Sequence, residues 1–303
     1  RRTNMDVRGR FSHVRGAMTV AVGGPVLVIK DVAATADPVD FRLLRYINQE
    51  PFPYLWAGTI TGRVVARGGP VNRWRVDSAR FVFRDANVPG ATTVGSGRGE
   101  LDILSPAFTA FRGFRVDVDR LDLATLQFLN PDFPRVNGYV QGSATLDSSW
   151  LDVRFRDAEL AHVDGAGEPT RATGSGRATI EEQYVRYDLD LALAPLNLTM
   201  LARSYTALPA RGLVSGPIAV RGISEALEVR TELAGAAGQM TFDGTLDTYP
   251  PGYAIRGSGR LDGLDPRRLL DDASMPEGSI TAAWTADMRG DRTTNLDGTV
   301  SVD

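Results

Sequence analysis

The strongest constraint on the fold is an alternation of apolar and polar residues that recurs along most of the chain. In the segment FRVDVDRLDL, Phe114, Val116 and Val118 alternate with charged residues. The segments YDLDLALAPLNL and LDVRFRDAEL follow the same pattern. Because residues two apart in a strand point to the same face of a sheet, a period of two predicts strands with one apolar and one wet face. The sequence therefore predicts an all-β protein.

Four short helices are predicted between groups of strands. Their segments are Asp40–Glu50, Leu123–Asn130, Leu198–Tyr205 and Asp265–Ser274. A proline follows each of them within a few residues, which is a common way to end a helix. In the last segment, Asp265 is suited to cap the helix and Pro266 to occupy its first position.

A glycine motif follows each predicted helix and indicates an internal repeat. The motif is Gly-x-(Val/Ile)-x-(Gly/Ala), and its four copies begin at Gly58, Gly138, Gly212 and Gly278. A pattern that returns at a nearly fixed interval is typical of stacked supersecondary units. We expect one elongated array of antiparallel strands over residues 1–303, a curled sheet with short connecting helices. Its approximate units are 1–35 (partial), 36–118, 119–193, 194–262 and 263–303 (partial).

The sequence GSGR occurs three times, beginning at Gly95, Gly174 and Gly257. A phosphate-binding glycine loop leads into the N-terminus of a helix, whose free N–H groups hold the anion. Here the residues that follow alternate as strands do. We therefore interpret these glycines as sites of bulges, bends or close packing within strands.

Composition excludes several classes of site. The chain has no cysteine, which rules out disulfides, thiolate metal sites and cysteine nucleophiles. Its net charge is -3, with acids and bases interspersed, and this argues against nucleic acid as a partner. No apolar run reaches the roughly 18–20 residues of a membrane span. The opening residues RRTNMDVRGR do not resemble a native start, so we expect a piece of a longer chain whose membrane tether lies elsewhere.

The titratable residues form no catalytic or metal-binding pattern. The two histidines, His13 and His162, lie far apart in the sequence, and each is expected in a structural role. Acid pairs such as Asp117 with Asp119 fall on the wet side of strands. We expect no enzyme activity, no cofactor and no metal.

An apolar sheet face has to be covered by something. The predicted helices are too few to do this. Three alternatives remain: a second sheet, closure of the sheet on itself, or a groove filled by lipid chains. Candidate groove residues are Val116, Val118, Leu151, Val153, Phe155, Leu189, Leu191 and Leu193.

The segment PFPYLW, residues 51–56, places three aromatic residues between a helix and the next strand. It fits either a small local core or an exposed anchor for a protein partner or membrane interface. The candidate contact residues are Phe52, Tyr54 and Trp56.

The repeated order of short helix, proline, Gly-x-Val-x-Gly and amphipathic strands resembles the AsmA-like superfamily of bacterial envelope proteins, which includes the TamB-type inner-membrane proteins. The resemblance covers most of residues 28–303. It implies a long curled sheet with an apolar inner face, a periplasmic location at the inner membrane, and a role in lipid transport or envelope assembly.

Two functions are therefore expected from the sequence. The first is a non-enzymatic periplasmic segment whose apolar groove binds or transfers the acyl chains of lipids. The alternative is a structural subunit docked on the periplasmic side of a membrane protein complex, bioenergetic or photosynthetic.

Overall fold

The fold is taken from a computed structural model of the chain. It describes residues 2–23, 26–43, 57–68, 73–102, 110–129, 133, 135–149, 151–165, 167–181, 184–205, 210–249, 253–270, 273–275, 277–292 and 295–303. Seventeen strands and short helices account for most of these residues, and every strand pairing with a defined register is antiparallel. The all-β class expected from the alternating pattern is confirmed.

The chain divides into two compact units. The first contains Arg1–Leu129 and Tyr139–Arg156, and the second contains Asn130–Gly138 and Asp157–Asp303. Strand β9 (Asp152–Val163) contributes residues to both. A helix follows strands β3, β7, β11 and β15, at intervals of four strands. The shorter repeat units expected from the glycine motif stay a prediction.

In the first unit each strand pairs with the next one along the chain, from β1 to β8. The strands are β1 (Arg2–Gly9), β2 (Ser12–Gly23), β3 (Val26–Asp40), β4 (Gly58–Gly68), β5 (Arg73–Asp85), β6 (Thr92–Asp102), β7 (Ala110–Asp122) and β8 (Tyr139–Ser149). This meander needs only local connections, which suits a chain rich in turn residues.

The second unit continues the same pattern from β10 to β17. Its strands are β10 (Thr170–Ile180), β11 (Val185–Asn197), β12 (Leu213–Ile223), β13 (Ala226–Gly235), β14 (Gly238–Asp247), β15 (Tyr253–Leu264), β16 (Ile280–Arg292) and β17 (Asn295–Val302). Along β11, buried or half-buried residues alternate with exposed ones from Val185 to Leu193, as the sequence pattern predicts.

Each described helix falls inside its predicted segment, and residues 44–50 of the first segment lie outside the described residues. A 3-10 helix spans Phe41–Leu43, and three α-helices follow: α1 (Leu123–Leu129), α2 (Leu198–Ser204) and α3 (Pro266–Leu270). Side chains accept backbone N–H groups at the four starts, as N-caps do: Asp40 from Arg42, Asp122 from Ala124, Asn197 from Met200, and Asp265 from Arg267. The predicted roles of Asp265 and Pro266 are confirmed.

All three GSGR sequences lie inside strands, in β6, β10 and β15, so their interpretation as strand glycines is confirmed. The space above these glycines is used by large side chains. A Cβ atom at Gly97 would lie 2.5 Å from Cε1 of Phe114, and one at Gly257 would lie 2.6 Å from Cε2 of Phe242. The absence of a side chain therefore lets aromatic rings lie flat on the sheet.

Candidate functional site

The second unit has an apolar face built around a cluster of buried side chains. At its centre, Leu227, Val229 and Phe242 form a buried cluster, each less than 9% exposed. Half-buried side chains of the adjoining strands pack around this cluster: Tyr187, Ile218, Val220, Leu246, Ile255 and Trp284. We call these nine residues, together with Leu189, Leu191 and Leu193 of β11, the apolar face.

Burial across the apolar face is uneven. Leu193 is buried, whereas Leu189 and Leu191 on the same strand are only half-buried. Ile218 and Val220 on β12 are also half-buried. Half-buried aliphatic side chains keep apolar area in contact with water, which is unfavourable by roughly 25 cal/mol per Å². Contact with another apolar group would therefore stabilise the flanks of the apolar face.

An aromatic stack lies within the apolar face. The rings of Phe242 and Trp284 are nearly parallel, with an interplanar angle of 12° and centroids 5.7 Å apart. Gly257 and Gly259 provide the flat backbone beneath them. The indole Nε1 of Trp284 is buried with no hydrogen-bond partner among the described residues, so a polar group sits in apolar surroundings there.

The opposite face of the second unit is covered by ion pairs. Three arginines each lie directly opposite an aspartate of the neighbouring strand and bind it: Arg221 with Asp188, Arg230 with Asp243, and Arg256 with Asp287. A hollow of about 860 Å³ is lined by residues of both faces: Asp190, Arg230 and Glu232 belong to the polar face, and Leu191, Ile218 and Phe242 to the apolar face. The two faces of the unit thus differ sharply in chemistry.

The other candidate groove residues lie in the first unit. Val116 and Val118 are half-buried on β7, opposite Ala144 and Gly142 of β8. Val153 and Phe155 are half-buried on β9, while Leu151 lies in the turn before that strand. The eight candidates therefore fall into two groups, one in each unit.

Phe52, Tyr54 and Trp56, the candidate partner-contact residues, lie outside the described residues. The histidines have local partners. His13 Nε2 lies 2.9 Å from Oδ1 of Asp6, and His162 Nε2 lies 2.6 Å from the backbone oxygen of Asn137. Within the described part of the chain, no group of three His, Asp or Glu residues is placed to hold a metal ion. None of the described helices has the length and hydrophobicity needed to cross a bilayer.

Shifted pKa values do not converge on one place. Hydrogen bonds with Arg8 and His13 lower the pKa of Asp6, and the hydrogen bond with Arg67 lowers that of Asp77; both carboxylates belong to exposed ion pairs. The largest change is at Tyr205, where burial, with a smaller contribution from Tyr253, raises the pKa to about 12. Such isolated shifts are typical of structural contacts, whereas a catalytic site groups several in one cleft.

Comparisons with family models, curated proteins and solved structures find no match to the chain.

Nine members of the apolar face are absent from the candidates chosen on sequence: Tyr187, Ile218, Val220, Leu227, Val229, Phe242, Leu246, Ile255 and Trp284. The segment ALEVRTELAG, which contains two of them, alternates as clearly as the chosen segments do. The alternation could have identified Leu227 and Val229, but it gives no sign that Phe242 and Trp284 stack.

Proposed function

We propose that this chain is a non-enzymatic segment that binds the acyl chains of lipids along the apolar face of its strands. The observation that carries the proposal is the half-burial of aliphatic side chains on that face, above all Leu189 and Leu191. The ion-paired opposite face has no such need for cover. The protein would work in the periplasm in association with the inner membrane, as the resemblance to the AsmA-like superfamily implies.

A lipid suits this surface because acyl chains bind apolar side chains without a specific arrangement of hydrogen bonds. Each buried CH₂ group contributes about 0.8 kcal/mol, so a few contacts along a strand give useful affinity. Aliphatic residues such as Leu189, Leu191, Ile218 and Val220 offer contact of this kind without hydrogen bonds. Binding of this type selects for chain length and for apolar character more than for a particular head group.

The described residues bring no perturbed titratable groups together in one cleft, and this supports a role without catalysis. The resolved pKa shifts among the described residues belong to exposed ion pairs and to the single buried phenol of Tyr205. A general acid or base needs a partner and a cleft. Neither is formed by the described residues that carry these shifts.

The first test is to identify the lipids that travel with the protein. Protein purified from a bacterial host without organic solvent is extracted and analysed by mass spectrometry. We expect diacyl lipid with the parent and at least a fivefold lower yield with Leu189→Asn combined with Leu191→Asn, because the amide groups make the face less favourable for hydrocarbon.

The matched control is Glu228→Gln combined with Glu232→Gln, which changes two exposed side chains of the polar face. This variant should keep the parent's lipid yield. Lipid-free parent protein would contradict the proposal. If a protein travels with the parent instead of lipid, the structural-subunit alternative is favoured.

A further inference from the structure

The polar face of the first unit departs from the pairing of opposite charges that the second unit follows. On β4 and β5, Arg63 lies directly opposite Arg80, and on β6 and β7, Arg98 lies directly opposite Arg115. Directly opposed residues of antiparallel strands have Cβ atoms about 4.5–5.5 Å apart, and like charges there are destabilising. The fold itself therefore gains nothing from these two pairs.

The four arginines occupy one area of the sheet. Arg80 pairs with Ser96 of β6, and Arg98 is two residues further along the same face of that strand. Arg80 and Arg98 are therefore diagonal neighbours, next to the irregularity in register between Val76 and Ala79. We call Arg63, Arg80, Arg98 and Arg115 the arginine patch.

Little negative charge balances the arginine patch. Asp117 is 3.6 Å from Arg115, and within the described residues Arg63, Arg80 and Arg98 form no ion pair. The four cations thus share one ion-paired carboxylate, Asp117, and one further carboxylate, Asp119, lies near Arg80. A third opposed pair, Arg67 with Arg75, differs because Asp77 binds Arg67 at 2.8 Å.

A hollow beside the patch supplies space for a ligand. Its volume is about 400 Å³, and its lining includes Arg80, Thr61 and Ser96, with one carboxylate, Asp119. Of the four arginines Arg80 lines the hollow itself, and Arg63 is the residue directly opposite Arg80. Guanidinium groups bind phosphate through two parallel N–H donors, and hydroxyl groups can donate to the remaining oxygens. Positions that break a local rule without a structural gain are expected to be functional sites.

We propose that the arginine patch binds phosphate esters, with Arg63 and Arg80 as its main contacts. The ligand chemistry is an exposed phosphate oxyanion, carried either by the head group of an anionic lipid or by a soluble phosphate. This site lies on the polar face of the first unit, so it does not depend on acyl-chain binding by the apolar face of the second.

The test measures sedimentation of the protein with vesicles. Vesicles of phosphatidylglycerol and phosphatidylcholine in a 1:3 ratio, chosen as roughly the anionic charge density of a bacterial membrane, are compared with phosphatidylcholine alone. We expect the parent to bind the anionic vesicles and to release them at high salt, because charge attraction to a surface is screened by ions.

The variant Arg63→Gln combined with Arg80→Gln removes two charges from the patch. Each arginine near an anionic surface is worth roughly a fivefold change in partition, so the variant should bind at least tenfold more weakly. The matched control, Arg230→Gln with Arg256→Gln, removes two charges that are already ion-paired in the second unit and should change binding less than threefold. Circular dichroism and the Tm check that both variants fold.

Inorganic phosphate separates the two sources of ligand. Vesicle binding that the patch variant loses and the control keeps identifies a lipid head group. If vesicles do not bind but inorganic phosphate raises the Tm of the parent and of the control, and not of the patch variant, the ligand is a soluble phosphate. Equal losses in both variants, or no response to either probe, would overturn the proposal.

Discussion

Tyr205 follows the last residue of α2, with its ring against Tyr253 in an edge-on contact whose centroids are 6.4 Å apart. Burial favours the neutral phenol and raises its pKa from the usual 10 to about 12. In the unfolded chain the same phenol ionises near pH 10. The folded state therefore holds this proton through a pH range in which the unfolded state releases it.

The sign of the resulting pH dependence follows from linkage. Tyr205 contributes its full stabilisation below pH 10, and this contribution is lost as the pH rises from 10 to about 12. We expect the free energy of unfolding to fall by roughly 2 kcal/mol more in the parent than in Tyr205→Phe over that range. Urea denaturation at several pH values measures the difference. Identical pH profiles for the two proteins would show that the phenol does not titrate in this way.

The alternating pattern correctly predicted which side of the sheet individual residues of β11 face. Leu189, Leu191 and Leu193 share one face, and Asp188 and Asp190 lie on the other, as their spacing predicts. The pattern does not give the degree of burial, because burial depends on the neighbouring strands. Leu151 illustrates a second limit: it continues an alternating run but lies in a turn.

At the scale of the element, glycines and aromatic rings on neighbouring strands act together. Gly97 of β6 pairs with Val116 of β7, and the ring of Phe114 on β7 covers the position where a Gly97 side chain would lie. The sequence predicted that GSGR belongs to a strand, but not which ring covers it. Which ring covers the glycine depends on the register between strands, and the pattern within one strand does not determine that register.

Gly97→Ala is expected to lower the free energy of unfolding by about 1–3 kcal/mol, because its methyl group overlaps the Phe114 ring. Adding Phe114→Leu should recover part of the loss, since the smaller side chain vacates that space. Chemical denaturation of the two single variants and the double variant gives the coupling energy.

Gly278→Ala serves as the control for this series, because a Cβ atom at Gly278 would meet nothing within 4 Å. Its stability should match that of the parent. Additive effects of Gly97→Ala and Phe114→Leu would show that the ring and the glycine do not interact.

At the scale of the whole molecule, the sequence predicted the all-β class of fold and the presence of short helices between groups of strands. Apolar–polar alternation and turn residues are patterns of a few consecutive residues, so they can be recognised from the sequence alone. The arginine patch could not be recognised in this way. Arg63 lies on β4 and Arg80 on β5, and only the strand register shows that they face each other.

The function proposed for the molecule rests on its two unlike sheet faces. In the second unit, opposed arginines and aspartates satisfy the polar face, while aliphatic side chains on the other face stay half-covered. A lipid chain on the apolar face would complete its burial without any rearrangement of the paired charges. Acyl-chain binding of this kind requires that hydrocarbon contacts the apolar face of a strand and not its polar face.

Site-specific photo-crosslinking tests this claim most directly, because Leu191 and Ala192 are adjacent in β11 and face opposite sides of the sheet. A photoreactive phenylalanine is placed at either position, the protein is irradiated in cells, and attached lipid is detected by mass spectrometry. Lipid attached at position 191 and absent at position 192 is the expected result. Equal attachment at both positions, or none at position 191, would contradict acyl-chain binding by the apolar face.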